Sequence, residues 1–187
     1  FVSFPGSHVV LPPGSLAARV RAHQRGYPMV TGTIRNLTTT PSGWASYFLD
    51  HATVLPGRPS GELSAPPPHC SYDRALLLEA GAFPDDLRAG EDTVANTAMF
   101  LAGRRAWRDR DVELFHESPC RNGAILVRHH LRRGRGFGRI LLDRAPPGGR
   151  VLSASGGGKV GLGYVAQRMA VIDRHVDRDG DDELRAT

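Results

Sequence analysis

Apolar positions along the chain come in short runs and helical stripes, separated by clusters of Gly, Pro and polar turn residues. Phe1 to Phe4 reads as a short buried strand, ended by Pro5-Gly6. Pro12-Pro13-Gly14-Ser15 is a turn opening a helix over Leu16 to Gln24, with Leu16, Ala17 and Val20 predicted to face inward and Gly26 to close it. Met29 to Ile34 returns as a strand. Strand, helix and strand within about thirty residues is the cadence of an α/β layer.

Gly43 to Leu49 then reads as a short aromatic helix. The Pro/Gly-rich stretch from Leu55 to Pro68 is too long for a simple connector and is a candidate lid or binding loop. Cys70-Ser71-Tyr72 is a short strand, and Asp73 to Ala80 a helix ended by Gly81. A further helix runs from Glu91 to Ala102, closed by Gly103, with Val94, Ala98, Met99, Leu101 and Ala102 as its predicted buried stripe. Arg105 to Arg108 and Val112 to His116 read as two short strands. Asn122 to Asp143 forms a long basic helix, interrupted around Gly134-Arg135-Gly136. Beyond it the pattern weakens into Pro146-Pro147-Gly148-Gly149 and the small-residue run Ser153 to Gly158. One domain over residues 1–142 and a peripheral extension over residues 143–187 is the division this predicts.

Candidate chemistry centres on Arg88-Ala89-Gly90-Glu91-Asp92-Thr93, where two adjacent carboxylates follow a glycine and open a helix. Acidic residues there offset the positive end of the helix dipole, an effect of about 0.3–1 kcal/mol. The same placement leaves Glu91 and Asp92 free to point into a cleft. Both readings stand on these six residues alone.

Composition narrows the partners. The 187 residues carry a formal charge of +5 and a pI near 9.9, with Arg far outnumbering Lys. That balance favours phosphates, nucleic acid or an acidic membrane surface. Cys70 and Cys120 are far apart and outside any C-x-x-C spacing, which argues against a disulfide scaffold or a structural zinc site and fits a reducing compartment. No run of eighteen or more apolar residues occurs. The chain opens inside an apolar run and ends at Asp181-Asp182-Glu183-Leu184-Arg185 within a helical pattern, so further sequence is expected beyond both ends. Ser153 to Val160 lacks the first Gly and the final Ser/Thr of a P-loop, and Asp177 to Asp181 lacks the register and closing Glu of a calcium loop.

Several pieces occur in an order that resembles the second half of a family 2 inverting glycosyltransferase with a GT-A fold. They are Val9-Val10-Leu11-Pro12-Pro13-Gly14-Ser15-Leu16, Cys70-Ser71-Tyr72-Asp73-Arg74-Ala75-Leu76, Gly81-Ala82-Phe83-Pro84-Asp85-Asp86-Leu87, Ala89-Gly90-Glu91-Asp92-Thr93, Leu101-Ala102-Gly103 and Val112-Glu113-Leu114-Phe115-His116. Each is weak alone; their order and spacing are fairly specific and cover about Phe1 to Leu142. The resemblance implies an α/β, GT-A-like mixed sheet flanked by helices, with its N-terminal nucleotide-binding part lying before Phe1.

It also implies a reaction: transfer of a sugar from a nucleotide-sugar donor to a hydroxyl acceptor by inverting single displacement. Asp92 holds the position of the general base, with Glu91 as its helper. A hydroxyl is a poor nucleophile until a positioned carboxylate accepts its proton, and the leaving nucleoside diphosphate needs a divalent cation, Mn or Mg in such enzymes, or basic groups. The family's Asp-x-Asp metal motif would precede Val9, where this chain reads Gly6-Ser7-His8 without a carboxylate. Only His8 could ligate there; the resemblance also makes His116, which follows a strand, a metal or diphosphate candidate, although a lone His at a strand end is more often structural. Arg132, Arg133 and Arg135 are candidate donor-phosphate contacts on the basic helix, and Trp44 and Tyr72 candidate acceptor or sugar contacts, though such aromatics are more often core. That helix reads equally as a solvated face, or as a surface for a membrane-held, lipid-linked acceptor. Nucleic acid is not the expected partner. The resemblance places the protein in the cytoplasm, including the cytoplasmic face of a membrane. A non-catalytic basic binding module of the same fold is the rival reading.

Overall fold

A computed structural model describes residues 1–87 and 90–143 of the chain, apart from the side chains at 137, 139 and 141–143. The proposed extension over residues 143–187 therefore lies, but for the backbone of Asp143, outside the described residues, as do Arg88 and Ala89 of the central motif.

A mixed sheet forms the middle of the domain. Its strands are β1 (Val2–Ser3), β2 (Val9–Val10), β3 (Met29–Asn36), β4 (Gly61–Leu63), β5 (Ser71–Tyr72) and β6 (Ala106–His116). The order is β1-β5-β3-β6-β2, with β4 also paired to β6. Only β3 and β6 run parallel; β1, β2, β4 and β5 join antiparallel. Helices α1 (Ser15–Gln24), α2 (Pro41–His51), α3 (Arg74–Glu79), α4 (Glu91–Leu101) and α5 (Gly123–Asp143) complete the described elements.

The parallel pair is the structural axis, and its register carries an irregularity. Thr31 opposes Arg108 while Thr33 opposes Glu113, so the residues after Arg108 bulge out of the ladder. The polar run Asp109-Arg110-Asp111 splits this region into two strands when read from sequence, yet β6 is one strand. Asp109 is buried and ion-paired with Arg25, and its Oδ1 accepts from the Asp111 amide at 3.0 Å. Gly32 sits inside the irregularity: a Cβ there would lie 1.9 Å from the carbonyl oxygen of Val112.

Three apolar clusters cover the sheet. Met29, Cys70, Tyr72, Leu77, Ala95, Met99 and Ala106 join β3, β5 and β6 to α3 and α4. Ile34, Tyr47, Val54, Leu55 and Leu114 seat α2. Ala18, Ala22, Val30 and Val112 seat α1.

Helix α1 turns the expected face outward. Leu16 and Val20 are 55% and 43% exposed and Ala17 is exposed, whereas Ser15, Ala18, Arg19, Ala22 and His23 are buried. Small alanines allow close approach to Val30 and Val112, and the three polar residues satisfy groups on the sheet. Ser15 Oγ donates to Glu113 O at 2.6 Å, and His23 bonds the Tyr27 carbonyl and Ser71 Oγ. Helix α4 is rotated likewise: Ala95, Asn96 and Met99 are buried, Val94 and Ala98 half-buried, and Leu101 is 80% exposed. Asn96 takes the inner position because it bridges the Tyr72 hydroxyl (2.8 Å) and the Pro67 carbonyl (2.9 Å).

Other expectations are corrected at the edges. The first strand is only Val2–Ser3, at the sheet edge, with Phe1 and Phe4 exposed. The loop from Leu55 to Pro68 contributes β4 to the sheet. Helix α5 is continuous through Gly134 and Gly136; the Asn122 side chain accepts from the Ile125 amide at its start, and Leu131 is exposed.

Replacing Gly32 with Ala drives a methyl group into backbone, so we expect Gly32→Ala to destabilise by about 3 kcal/mol, the upper end of ordinary overpacking costs. A Cβ at Gly61 meets nothing within 4 Å, so Gly61→Ala is expected to stay within about 0.5 kcal/mol of the parent. Urea unfolding midpoints of the two variants measure both.

Candidate functional site

Three histidines from distant parts of the chain meet at one place. His51 ends α2, His69 precedes β5, and His116 ends β6. One ring nitrogen from each lies within 4.8 Å of those of the other two. Ring centroids are 4.6 Å apart for His51–His116, 5.6 Å for His51–His69 and 5.9 Å for His69–His116.

The backbone that carries each histidine is positioned by identifiable bonds. Helix α2 is capped by Thr40, whose hydroxyl oxygen accepts from the Gly43 amide at 3.1 Å, and is pinned to β3 where Tyr47 OH donates to Ile34 O at 2.6 Å. His116 lies opposite Asn36 at the carboxyl ends of the parallel pair, and its carbonyl accepts from the Leu37 amide at 3.0 Å. Ligands of open α/β sheets gather beyond such strand ends. His69 is held in the left-handed region, at φ 53°, which a non-glycine residue seldom adopts. Three consecutive carbonyls fix it there: Pro67 O accepts from Asn96 Nδ2 at 2.9 Å, Pro68 O from Thr31 Oγ1 at 2.8 Å, and His69 O from Arg19 Nη2 at 3.0 Å.

Burial lowers the pKa of two of these imidazoles, His69 and His116. It is the main reason the His69 pKa falls to about 4; His116, Arg19 and Arg133 push the same way and Asp92 opposes them. The His116 pKa is lowered too, chiefly by burial, with Asp50 opposing and His8, Arg133 and His129 adding to the shift. His116 Nδ1 is buried without a hydrogen-bond partner among the described residues. The neighbouring thiol of Cys70 is pushed up to about 12, mainly by burial, and is therefore inert.

Asp92 of the carboxylate pair lies within electrostatic reach of His69 in this cluster. Gly90, at φ 85°, turns the chain into α4, so Glu91 and Asp92 occupy its first turn. Asp92 Oδ1 accepts from the Thr93 amide at 2.7 Å and from its hydroxyl at 3.4 Å. Asp92 also acts electrostatically on His69, Cys70 and Tyr72. Glu91 Oε2 is buried with no hydrogen-bond partner among the described residues.

The remaining candidates divide. His8 is exposed, its ring 6.4 Å from that of His116, and it is not one of the three clustered ligands. Arg133 is half-buried, 3.5 Å from Asp50, and acts on both His69 and His116. Arg132 and Arg135 are exposed. Tyr72 is not an acceptor contact: it is 2% exposed, and its hydroxyl is given to Asn96. Trp44 is half-buried and packs on Tyr47 and Phe48 beside the α2 cluster. His51 and His69 escape sequence reading because no short spacing links them to His116; the one local hint is His69 beside three prolines.

The chain matches no protein-family model, and no curated protein matches it. Among the described residues no helix is long and apolar enough to cross a membrane.

A histidine whose pKa is lowered by folding binds its proton more readily in the unfolded chain. Stability is then fully present above the unfolded value of 6.5 and is lost as pH falls towards about 4 for His69. We expect the urea midpoint to drop between pH 7 and 4.5. In His69→Asn, which tolerates the left-handed backbone, the drop should shrink by on the order of 2 kcal/mol. An unchanged drop in that variant would show that His69 titrates freely in the folded protein.

Proposed function

We propose that this chain is the acceptor-side part of a GT-A-type inverting glycosyltransferase. It would move a sugar from a nucleotide-sugar donor to a hydroxyl acceptor. The observation that carries this reading is Asp92, next to Glu91 at a glycine-opened helix start, within electrostatic reach of His69 in a histidine cluster at the carboxyl ends of β3 and β6. The ordered motifs from Val9 to His116 support it.

In this mechanism Asp92 accepts the proton of the acceptor hydroxyl as its oxygen attacks the anomeric carbon. The bond to the nucleoside diphosphate breaks on the opposite face, which inverts the configuration. Positioned general bases contribute roughly 10²–10⁴-fold. Glu91, whose Oε2 is buried without a hydrogen-bond partner among the described residues, shares the first turn of α4 with Asp92 and is its helper in this reading. Arg133 is the basic side chain best placed to offset charge on the leaving diphosphate. Mg²⁺ and Mn²⁺ fit poorly here. Both prefer oxygen ligands, while residues 6–8 hold no carboxylate and the clustered donors are imidazoles.

The exposed surface of α5 carries Val127 and Leu131 together with Arg128, Arg132 and Arg135. That mixture suits an anionic membrane surface presenting a lipid-linked acceptor. Two buried free cysteines fit a cytoplasmic setting for it. The absence of a carboxylate at residues 6–8 favours the rival, a non-catalytic binding module of the same fold.

The test uses the native gene product that contains this chain, incubated with a panel of nucleotide sugars and hydroxyl acceptors while nucleoside diphosphate release is followed. Asp92→Asn should lower kcat by about 10²–10⁴-fold and leave the melting temperature within a few degrees of the parent. Unchanged turnover would sink the base assignment. No turnover with any donor would give the lead to the binding module.

A further inference from the structure

Three imidazoles, from α2, β6 and the segment before β5, converge on one place. Their geometry can be compared with what a metal demands. A zinc–nitrogen bond is about 2.0–2.1 Å, which puts each ring centroid roughly 3.2 Å from the ion. Two such rings at a tetrahedral angle then stand about 5.2 Å apart, and at a right angle about 4.5 Å. The observed separations, 4.6, 5.6 and 5.9 Å, bracket the tetrahedral value. The ligand atoms, within 4.8 Å of one another, would have to close to the roughly 3.3 Å spacing of a tetrahedral edge on binding an ion.

We propose that His51, His69 and His116 form a three-histidine centre for a divalent late first-row transition ion of the Zn²⁺ class, with one coordination position left for water or a substrate oxygen. Ligand chemistry sets the class: imidazole suits zinc, copper, iron and nickel, whereas magnesium seeks oxygen. Construction of the site supports it. His51 ends a helix pinned through Tyr47, His116 is fixed by the sheet ladder, and His69 is held at φ 53° by the bonds on carbonyls 67, 68 and 69. His116 Nδ1 is buried without a hydrogen-bond partner among the described residues, as a nitrogen awaiting a ligand would be. Nearby fixed charges are mixed: Arg19 and Arg133 oppose a cation, and Asp50 and Asp92 favour one. The centre does not rest on sugar transfer, since it is defined by its own ligands and read by bound metal.

The experiment titrates Co²⁺ into the chelator-stripped 187-residue chain and follows its visible d–d absorption. One equivalent is expected to bind, Zn²⁺ to displace it, and excess Mg²⁺ to leave it in place. His51→Gln, His69→Asn and His116→Ala should each weaken Co²⁺ binding by more than the roughly 10–100-fold that second-shell changes cost. His8→Ala should leave it within about threefold, since that exposed side chain is outside the set. Circular dichroism verifies that each variant is folded. A misfolded one is replaced by another substitution at the same position, Ala for His51 or Gln for His69 and His116. Absence of stoichiometric absorption would overturn the proposal. So would unchanged binding in the three variants, loss equal to theirs in His8→Ala, or loss confined to variants of the adjacent pair His129 and His130. None of these outcomes depends on transferase turnover.

Discussion

A guanidinium buried between α1 and the sheet ties together the parts that make the site. Arg19 is 3% exposed, and an unpaired charge at that depth would be costly unless its hydrogens were bonded. Its Nη1 donates to Val30 O at 2.8 Å and to Ser71 Oγ at 3.2 Å, and its Nη2 donates to His69 O at 3.0 Å. One side chain thus joins α1 to β3, β5 and the turn before β5. Burial lowers its pKa, while Cys70 and Tyr72 oppose that shift. Removing the guanidinium would leave buried carbonyls of Val30 and His69 without this donor, and His69 without one of the bonds that hold its unusual backbone.

The proline run preceding His69 is set by the same logic. Prolines have no N–H to give to a strand ladder, so the segment is fixed through its carbonyls instead. Thr31 supplies one donor from β3, Asn96 another from α4, and Arg19 a third from α1. Each of these residues occupies a position that an apolar side chain would otherwise take. This is why α1 and α4 present polar residues inward and leave Leu16, Val20 and Leu101 in solvent. Asn96 also receives the Tyr72 hydroxyl, so the apolar cluster beneath α4 and the loop bearing His69 are one connected unit.

On the opposite side, Asp50 connects α5 to the site. It lies 3.5 Å from Arg133 and 4.0 Å from His129, while its neighbour His51 faces the cluster. Asp50 thereby ties the basic helix to α2. Asp92, Arg19 and the half-buried Arg133 all act on His69 in that site. Acid–base chemistry on a hydroxyl and coordination of a nitrogen-seeking cation are both compatible with that arrangement.

The sequence alone was enough to place most elements: the glycine closing α1 at Gly26, the strand from Met29, the aromatic helix before His51, and the helix opening after Gly90. These follow from local signals, namely turn residues, caps and periodicity, which act over a few residues. It also isolated Glu91, Asp92 and His116 as candidate chemistry. Only the tertiary structure decided which helix faces turn inward, that β6 is one bulged strand paired parallel to β3, and that His51 and His69 join His116. Those outcomes depend on buried carbonyls far along the chain demanding donors, and on a sheet register set by the close approach of Gly32 and Val112. No local pattern encodes a hydrogen bond between residues 19 and 69. The demand arises only when folding removes both groups from water.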